Sequence, residues 1–571
     1  QLKGVELSPF RTVGEYFNEI PTNNDIHIIV QAPATTGQER INIQNHNLGY
    51  LPRQDGLGGT KLLYSANHET FEGISLTDPD ISYRSKVVFS LVEELIKRKI
   101  ILVRAPPYSG KTSLSQLMEY HLVNSPGYSK YRIIRVSMLW GSVVGVDCSW
   151  ETFGELWKRV IGVSWIEWIG QCQRAPTILI LDEVQLIYKQ ERGIDENKKS
   201  SADVFWKTIK GCLQEMTNIY IIMFGAYVYH SANSAGLSTP VEIPPSKCKG
   251  LMDIKFTYEE SKEYVERFCE KYFRLNPHDV SQFSEYIQTT TEGHVGLIFH
   301  ILRYTKEAME RRIRENVLTW KDIFAYLNSH DFNLTLDACR ASPKVKSFSR
   351  EQLVICEHVY LNGKILFRPH DMNTQCLVKS GILVVNDGRL YFSAPLIKRS
   401  FFQQCYGSQY SAETTPPSLY HFIVKIFTAM CNGQSSKILR DGSPLEQTLQ
   451  KEFYRIGTQV LGMGHFLSCD VGAVFGCDGY IDFYVDKLDW AIELLRDGKD
   501  MTEHSRRFEP AGEYEEIVRY AKSIAIIDIR SESKKVRKLQ KDFIHVSCSE
   551  NYNAFKIECL GKDPLTVKIR D

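Results

Sequence analysis

The chain lacks an excess of charge of either sign: 69 Lys and Arg stand against 68 Asp and Glu in 571 residues. That balance excludes a globally basic nucleic-acid binder and an acidic tail protein, so any charged site must be local. No apolar run approaches the ~18 residues that a membrane-spanning helix needs; the longest, such as Ile219 to Val228, is far shorter. None of the 14 cysteines forms a C-x-x-C pair, which leaves neither a disulfide framework nor a zinc site legible and points to a reducing place of work. There is no internal repeat and no low-complexity tract. The first residue is Gln1, and no signal peptide opens the chain, so a processed or trimmed start is expected. What remains is ordinary globular composition, 43% apolar and 24% charged, long enough for about three to five domains.

Residues 1–33 offer one helical stretch and one strand, too little for a core, and read as the end of a larger unit. Residues 34–80, rich in Gly, Asn, Thr and Gln, read as a linker. From 81 to 250 apolar strand candidates (Ile100–Val103, Arg132–Val136, Thr177–Leu181, Ile219–Phe224) alternate with helical patterns, which predicts a parallel sheet covered on both faces. Thr257-x-x-Glu260 is a capping box, and helical patterning continues to 344. Residues 345–406 read as two helices and a hairpin turning at Asn386-Asp387-Gly388, the order of a winged helix. Its final helix carries Lys398 and Arg399, enough for a contact to a nucleic-acid backbone. Residues 407–417 read as a linker, and 418–571 as a separate α+β domain. The fold class is therefore multidomain, α/β followed by α+β.

Arg104-Ala-Pro-Pro-Tyr-Ser-Gly-Lys-Thr-Ser113 follows a strand and precedes a helix, and departs from the phosphate-loop pattern only at Ala105. Backbone N–H groups of Ser109, Gly110 and Ser113 would face phosphate oxygens, Lys111 the β/γ-phosphates, and the Thr112 hydroxyl Mg²⁺. Asp182 and Glu183 end an apolar strand 71 residues after Lys111. Asp182 is placed to hold Mg²⁺ and Glu183 to polarise the attacking water. ATP is the expected nucleotide, with GTP left open. The next strand ends in Gly225-Ala226-Tyr227, without the polar side chain that many related ATPases carry there. Thr290–Gly296 reads as a turn between lid helices or, more sharply, as a place where His294 meets the nucleotide.

In the last domain Asp482 shares a strand face with Tyr480 and Tyr484, and Glu493 one with Ala491 and Leu495. Facing hairpin strands bring the two carboxylates together, where a divalent metal such as Mg²⁺ offsets their repulsion. Glu446 or Glu452, on a preceding amphipathic helix, can add a third. This pattern resembles the PD-(D/E)xK nuclease core, except that Leu495 stands where that core has Lys. His504 and Arg507, three apart on a helix, can face the same site. The bland alternatives are a polar-capped hairpin and a surface helix. Lys534–Lys538 is a basic run, read as a solvated face, a nuclear-localisation patch or a phosphate contact.

Three stretches together resemble the Crinkler effectors. Leu7-Ser-Pro9 through Ile26–Pro33 is similar to the end of their N-terminal ubiquitin-like domain. Residues 82–113 are similar to the start of their STAND-type P-loop NTPase. Asp482–Val485, Trp490–Gly498, Glu503–Phe508 and Gly512-x-Tyr514 are similar to their restriction-endonuclease-like domain. The resemblance implies a protein secreted by a filamentous eukaryote and acting in the host-cell nucleus, where an NTPase switch controls a Mg²⁺-dependent DNA endonuclease. DNA is the implied partner, with host nuclear proteins and a second copy of the chain as further ones. The competing expectation is a non-catalytic switch that binds host proteins or chromatin through a degenerate nuclease fold.

Overall fold

The computed structural model describes residues 80–138, 164–185 apart from 174–175, 218–226, 243–432 apart from 408–411 and 413, 446–498 apart from 463–464, 466, 470–480 and 486, and 500–568 apart from 535, 537 and 550–552, with a few isolated positions elsewhere. Residues 1–33, expected to resemble the end of a ubiquitin-like domain, nearly all of 34–80, expected to be a linker, and Lys535 and Arg537 of the basic run lie outside the described residues.

Strands β1 (Ile100–Arg104), β2 (Arg132–Ser137), β3 (Thr177–Asp182), β4 (Ile219–Gly225) and β5 (Cys248–Lys249) form a parallel sheet in the order β2-β3-β4-β1-β5. Unbroken apolar runs suit such strands because both faces are covered. Helices α1 (Ser85–Arg98) and α2 (Lys111–Asn124) cover one face with Val88, Leu91, Val92, Leu95, Leu114 and Leu117. On the other face, α3 (Trp165–Cys172) supplies Trp168, beside Trp157 and Trp206.

The lid follows as α4 (Tyr258–Phe268), α5 (Pro277–Thr291), α6 (Val295–Ala308), α7 (Trp320–Leu327) and α8 (His330–Ala338), with shorter helical turns between them. The capping box read from sequence opens α4: Glu260 N–H donates to Thr257 Oγ1 at 3.2 Å and Thr257 N–H to Glu260 Oε2 at 3.0 Å. Next come α9 (Arg350–Asn362), β6 (Ile365–Leu366), α10 (Met372–Ser380), β7 (Leu383–Asn386), β8 (Arg389–Phe392) and α11 (Pro395–Tyr406). Asp387 and Gly388 both hold positive φ, 46° and 70°, as a two-residue hairpin turn requires.

The C-terminal part packs α12 (Leu419–Asn432) and α13 (Glu446–Val460) on one face of a seven-stranded mixed sheet. Phe422 lies against Trp490, and Phe453 stacks on Phe483. The strands β9 (Leu467–Cys469), β10 (Phe483–Val485) and β11 (Trp490–Arg496) form an antiparallel meander; β12 (Ser523–Ser531) and β13 (Phe543–Cys548) continue it in parallel, and β14 (Ala554–Cys559) and β15 (Leu565–Lys568) close it antiparallel. Helices α14 (Met501–Arg507) and α15 (Glu515–Tyr520) supply side chains to the opposite face.

One apolar core runs without a break from Phe256 in the lid to Ile557 in β14. Phe402 of α11 packs between Tyr360 and Tyr454, which belongs to α13, and Phe324 of α7 meets Tyr484 of β10. A polar node sits in the same junction. Arg399 donates to Leu327 O at 3.0 Å and to Asn328 Oδ1 at 3.3 Å, and Ser468 Oγ also reaches Asn328 Oδ1. Residues 407–417 thus join bodies that share a core. Arg399, expected to reach a nucleic-acid backbone, is instead buried in this node. Replacing Arg399 by Met should destabilise the whole chain by about 1–3 kcal/mol, for the Leu327 carbonyl left without this donor, lowering its thermal midpoint, and should loosen the C-terminal sheet in hydrogen exchange; protection unchanged in β9 and β10 would contradict this coupling.

Candidate functional site

The loop 105–110 turns directly from β1 into α2. Ala105, where the phosphate-loop pattern has Gly, is fully buried at the strand end, and its N–H donates to Gly225 O at 3.2 Å. The left-handed positions fall later, at Tyr108 (φ 68°) and Gly110 (φ 81°), so the turn does not need a glycine at 105. Ser109 Oγ and Lys111 Nζ both donate to Pro106 O at 2.7 Å. Gly110 caps α2 with its carbonyl, accepting from Leu114 N–H at 2.9 Å, and leaves the first-turn N–H groups of a helix end aimed at the loop. Thr112 and Ser113 are half-buried in that first turn.

Asp182 closes β3 with its side chain buried and bonded to the Thr112 hydroxyl. Burial first, then the charge of Glu183, pushes its pKa up to about 6 against the opposing pull of Thr112 and Arg135. Hard oxygen donors held together in a buried place, with a carboxylate whose charge lacks full compensation, fit Mg²⁺. Glu183 leaves the strand in a left-handed conformation (φ 57°). The strand order places β4 between β1 and β3, so the acidic strand end and the phosphate loop flank the end of β4. The parallel sheet, the loop after β1 and the acidic end of β3 fit a P-loop NTPase domain.

Two other parts of the chain roof this loop. A Cβ at Gly296, in the first turn of α6, would lie 2.1 Å from Tyr108 O, and one at Gly381, after α10, 2.3 Å from Pro106 Cβ; Gly381 also holds φ 83°. Val295 lies against Gly110. His294 caps α6, its Nδ1 accepting from Leu297 N–H at 3.4 Å. Burial first, then the charges of Lys255 and Lys111, lower its pKa to about 3, so the imidazole is neutral. The turn Thr290–Gly296 is therefore a buried wall beside the phosphate loop.

In the C-terminal sheet β10 pairs Phe483 with Ile492, and Asp482, in the bend just before β10, and Glu493, next after Ile492 on β11, flank that pair. Asp482 Oδ1 accepts from Gln450 Nε2 of α13 at 2.7 Å, and Oδ2 from Leu494 N–H at 2.5 Å. Glu493 is 3% exposed. Its Oε1 takes His504 Nδ1 at 2.9 Å, the Tyr514 hydroxyl at 3.4 Å and Arg507 Nη1 at 3.6 Å. Burial first, then the Glu493 charge, raises the Tyr514 pKa, keeping the phenol a donor. Glu493 Oε2 is buried without a hydrogen-bond partner, the state of a carboxylate oxygen suited to a cation. Among the described residues no group of three or more His, Cys, Asp or Glu gathers for a metal. Glu452 is held by Arg455 on its own helix at 2.8 Å, and the side chain of Glu446 lies outside the described residues. Two carboxylates suit Mg²⁺, which keeps several waters and takes further oxygens from a phosphate substrate.

Leu495 packs with Ile526, Phe543, Met501 and Phe508. Leu495 is thus an apolar plug, and Arg506 and Arg507 stand on α14. Sequence reasoning missed three groups. Gln450 sits one helical turn from Glu446. Gln185 donates to Glu183 Oε2 and accepts from Ala226 N–H at 3.0 Å. Asp528 of β12 takes Arg530, His545 Nδ1 at 2.9 Å and Gly498 N–H at 2.8 Å. Burial pushes the Asp528 carboxyl up, but these bonds outweigh it and hold its pKa below the ordinary value. The two amides carry no motif, and the Asp528–His545 pair arises from parallel register, which no local spacing encodes.

No protein-family model and no curated protein sequence matches the chain. Among solved structures, a Walker-type ATPase of Pyrococcus abyssi is 14% identical with a TM-score of 0.32, covering 56% of this chain and 95% of its own. The ORC2 protein of Aeropyrum pernix, solved in complexes with ADPNP and ADP, is 11% identical with a TM-score of 0.34, covering 57% of this chain and 96% of its own.

Because Asp182 must lose its proton to ligate a cation, affinity for Mg²⁺-nucleotide should fall as the pH drops below about 6, while metal-free nucleotide binding should not follow the same curve. Isothermal titration across that range checks this; a flat profile would remove Asp182 from the metal site. Leu495→Lys should destabilise the chain by on the order of 2 kcal/mol or more, because it places a charge in an apolar cluster, and urea unfolding reads the shift.

Proposed function

We propose that the chain is a nucleotide-hydrolysing switch that controls a Mg²⁺-dependent DNA endonuclease site in its C-terminal sheet. The nucleotide half rests on the phosphate loop and on Asp182–Glu183; the nuclease half rests on one observation, the buried and unbonded Oε2 of Glu493, on the strand that pairs with β10 just after Asp482. In the first site Lys111 and the N–H groups of α2 bind the phosphates. Glu183 orients a water onto the γ-phosphorus and takes its proton as the bond to the β-phosphate oxygen breaks. Thr112 and Asp182 would hold Mg²⁺, which neutralises charge on the phosphate oxygens when bound.

In the second site Glu493 accepts from His504 Nδ1, which fixes the tautomer and leaves Nε2 as the proton acceptor for a water attacking the scissile phosphorus. As His504 takes that proton the bond from phosphorus to the 3′-oxygen breaks, and the departing oxyanion takes a proton from solvent water. Asp482 and Glu493 would hold Mg²⁺ there, and Arg507 keeps positive charge beside Glu493. The resemblance to Crinkler effectors supports DNA as substrate and the host nucleus, reached after secretion, as the place of action; two sites in a homodimer would cut both strands. A second reading, a non-catalytic switch binding host proteins or chromatin, draws on two observations: the amide of Gln450 bonds Asp482, and Leu495 plugs the lysine position.

Plasmid incubated with protein, Mg²⁺ and nucleotide separates the readings. Cleavage should require the metal and disappear in Asp482→Asn and Glu493→Gln, with nucleotide binding retained; cleavage persisting in the double variant would refute the site. Phe324→Ala, which removes the lid's contact with Tyr484, should leave cleavage present but make it independent of nucleotide; unchanged nucleotide dependence would sever that route.

A further inference from the structure

The end of β4 carries no polar side chain, being Gly225-Ala226, yet it is tied to the acidic turn by hydrogen bonds. Ala226 N–H donates to Gln185 Oε1 at 3.0 Å, and the other end of the same amide donates from Nε2 to Glu183 Oε2. The first bond settles the second. A backbone N–H can only donate, so the amide oxygen must face Ala226 and the NH₂ must face Glu183. Packing holds the link in place: a Cβ at Gly225 would come within 2.8 Å of Val184 Cγ2 and 3.3 Å of Gln185 Oε1. Glu183 itself sits at φ 57°, a conformation that a glutamate adopts at some cost and that the surroundings must hold.

We propose that Gln185 is the positioning residue for Glu183, joining the water-orienting carboxylate to the end of β4 in the way a polar side chain on that strand would. The inference rests on the hydrolysing role assigned above. The amide occupies one carboxylate oxygen and leaves the other for the attacking water. It also makes the orientation of Glu183 depend on where the end of β4 stands. β4 pairs with both β1 and β3, so a shift of the phosphate-loop strand against the acidic strand is read at this amide.

The test is steady-state hydrolysis together with nucleotide affinity for the full chain and for Gln185→Ala, Gln185→Glu and Glu183→Gln. Gln185→Ala should leave affinity within about 2-fold and lower kcat by ~10–100-fold, short of the full loss of a general base. Gln185→Glu has the same shape but sets a carboxylate against Glu183 and cannot donate, so it should lose at least as much kcat with KM unchanged. Wild-type kcat in both Gln185 variants would overturn the proposal and leave the hydrolase reading intact, as would a parallel loss of affinity and kcat. Nucleotide binding without turnover in the wild type, equal to Glu183→Gln, would overturn the hydrolase reading and this proposal with it.

Discussion

The loop between Ala105 and Lys111 is the place on which the rest of the molecule closes. Pro106 meets Gly381 of the hairpin region, Tyr108 meets Gly296 of the lid, and Gly110 meets Val295. At two of these contacts there is no room for a Cβ, so the approach is backbone on backbone or ring on backbone. A loop held this tightly cannot change shape alone. Any rearrangement that phosphate binding demands of Pro106 or Tyr108 must move α6, or the turn after α10, or both. Interiors packed at crystal-like density transmit such displacements. The same helical region touches the C-terminal sheet where Phe324 of α7 meets Tyr484, two residues from Asp482.

The two candidate sites solve the same problem in different ways. Each has one buried carboxylate, Asp182 or Glu493, and a half-buried one, Glu183 or Asp482. At Asp182 the cost shows as a raised pKa, with Thr112 and Arg135 only partly offsetting it. At Glu493 three donors converge on one oxygen and none on the other. A third buried carboxylate, Asp528, has its bonds supplied by His545, Arg530 and Gly498. That contrast separates a carboxylate that serves the fold from ones left with capacity for a ligand.

The parallel sheet, the phosphate loop, the capping box and the hairpin at Asp387-Gly388 were legible in the sequence because each is encoded within a few residues. Apolar runs bury on two faces, a Thr and a Glu three apart satisfy each other, and a turn with two positive φ values asks for Asp-Gly. The antiparallel pairing of the strands that follow Asp482 and carry Glu493 was also legible, since a short turn joins them. Glu452 shows where the reading ended: helical periodicity offered it as a third carboxylate, but Arg455 on the same helix holds it, and the neutral Gln450 reaches Asp482 instead. Ala105 and Leu495 looked like two departures of one kind, yet the first costs nothing at a buried strand end and the second fills an apolar cluster. Burial of Arg399 depends on how α11 lies against the lid, and nothing local in Lys398-Arg399 records that.

The shared core has a consequence for dissecting the chain. A cut between residues 407 and 417 would sever the backbone but not the body, because Phe402 would still lie against Tyr454 and Asn328 would still bridge Arg399 and Ser468. The two pieces would travel together as a nicked assembly. Either piece made alone would show water an aromatic face that its counterpart normally covers, and would tend toward self-association. A C-terminal body transplanted from elsewhere would face the same demand: it would need a ring for Phe402 and a hydroxyl for Asn328 before it could sit under this lid.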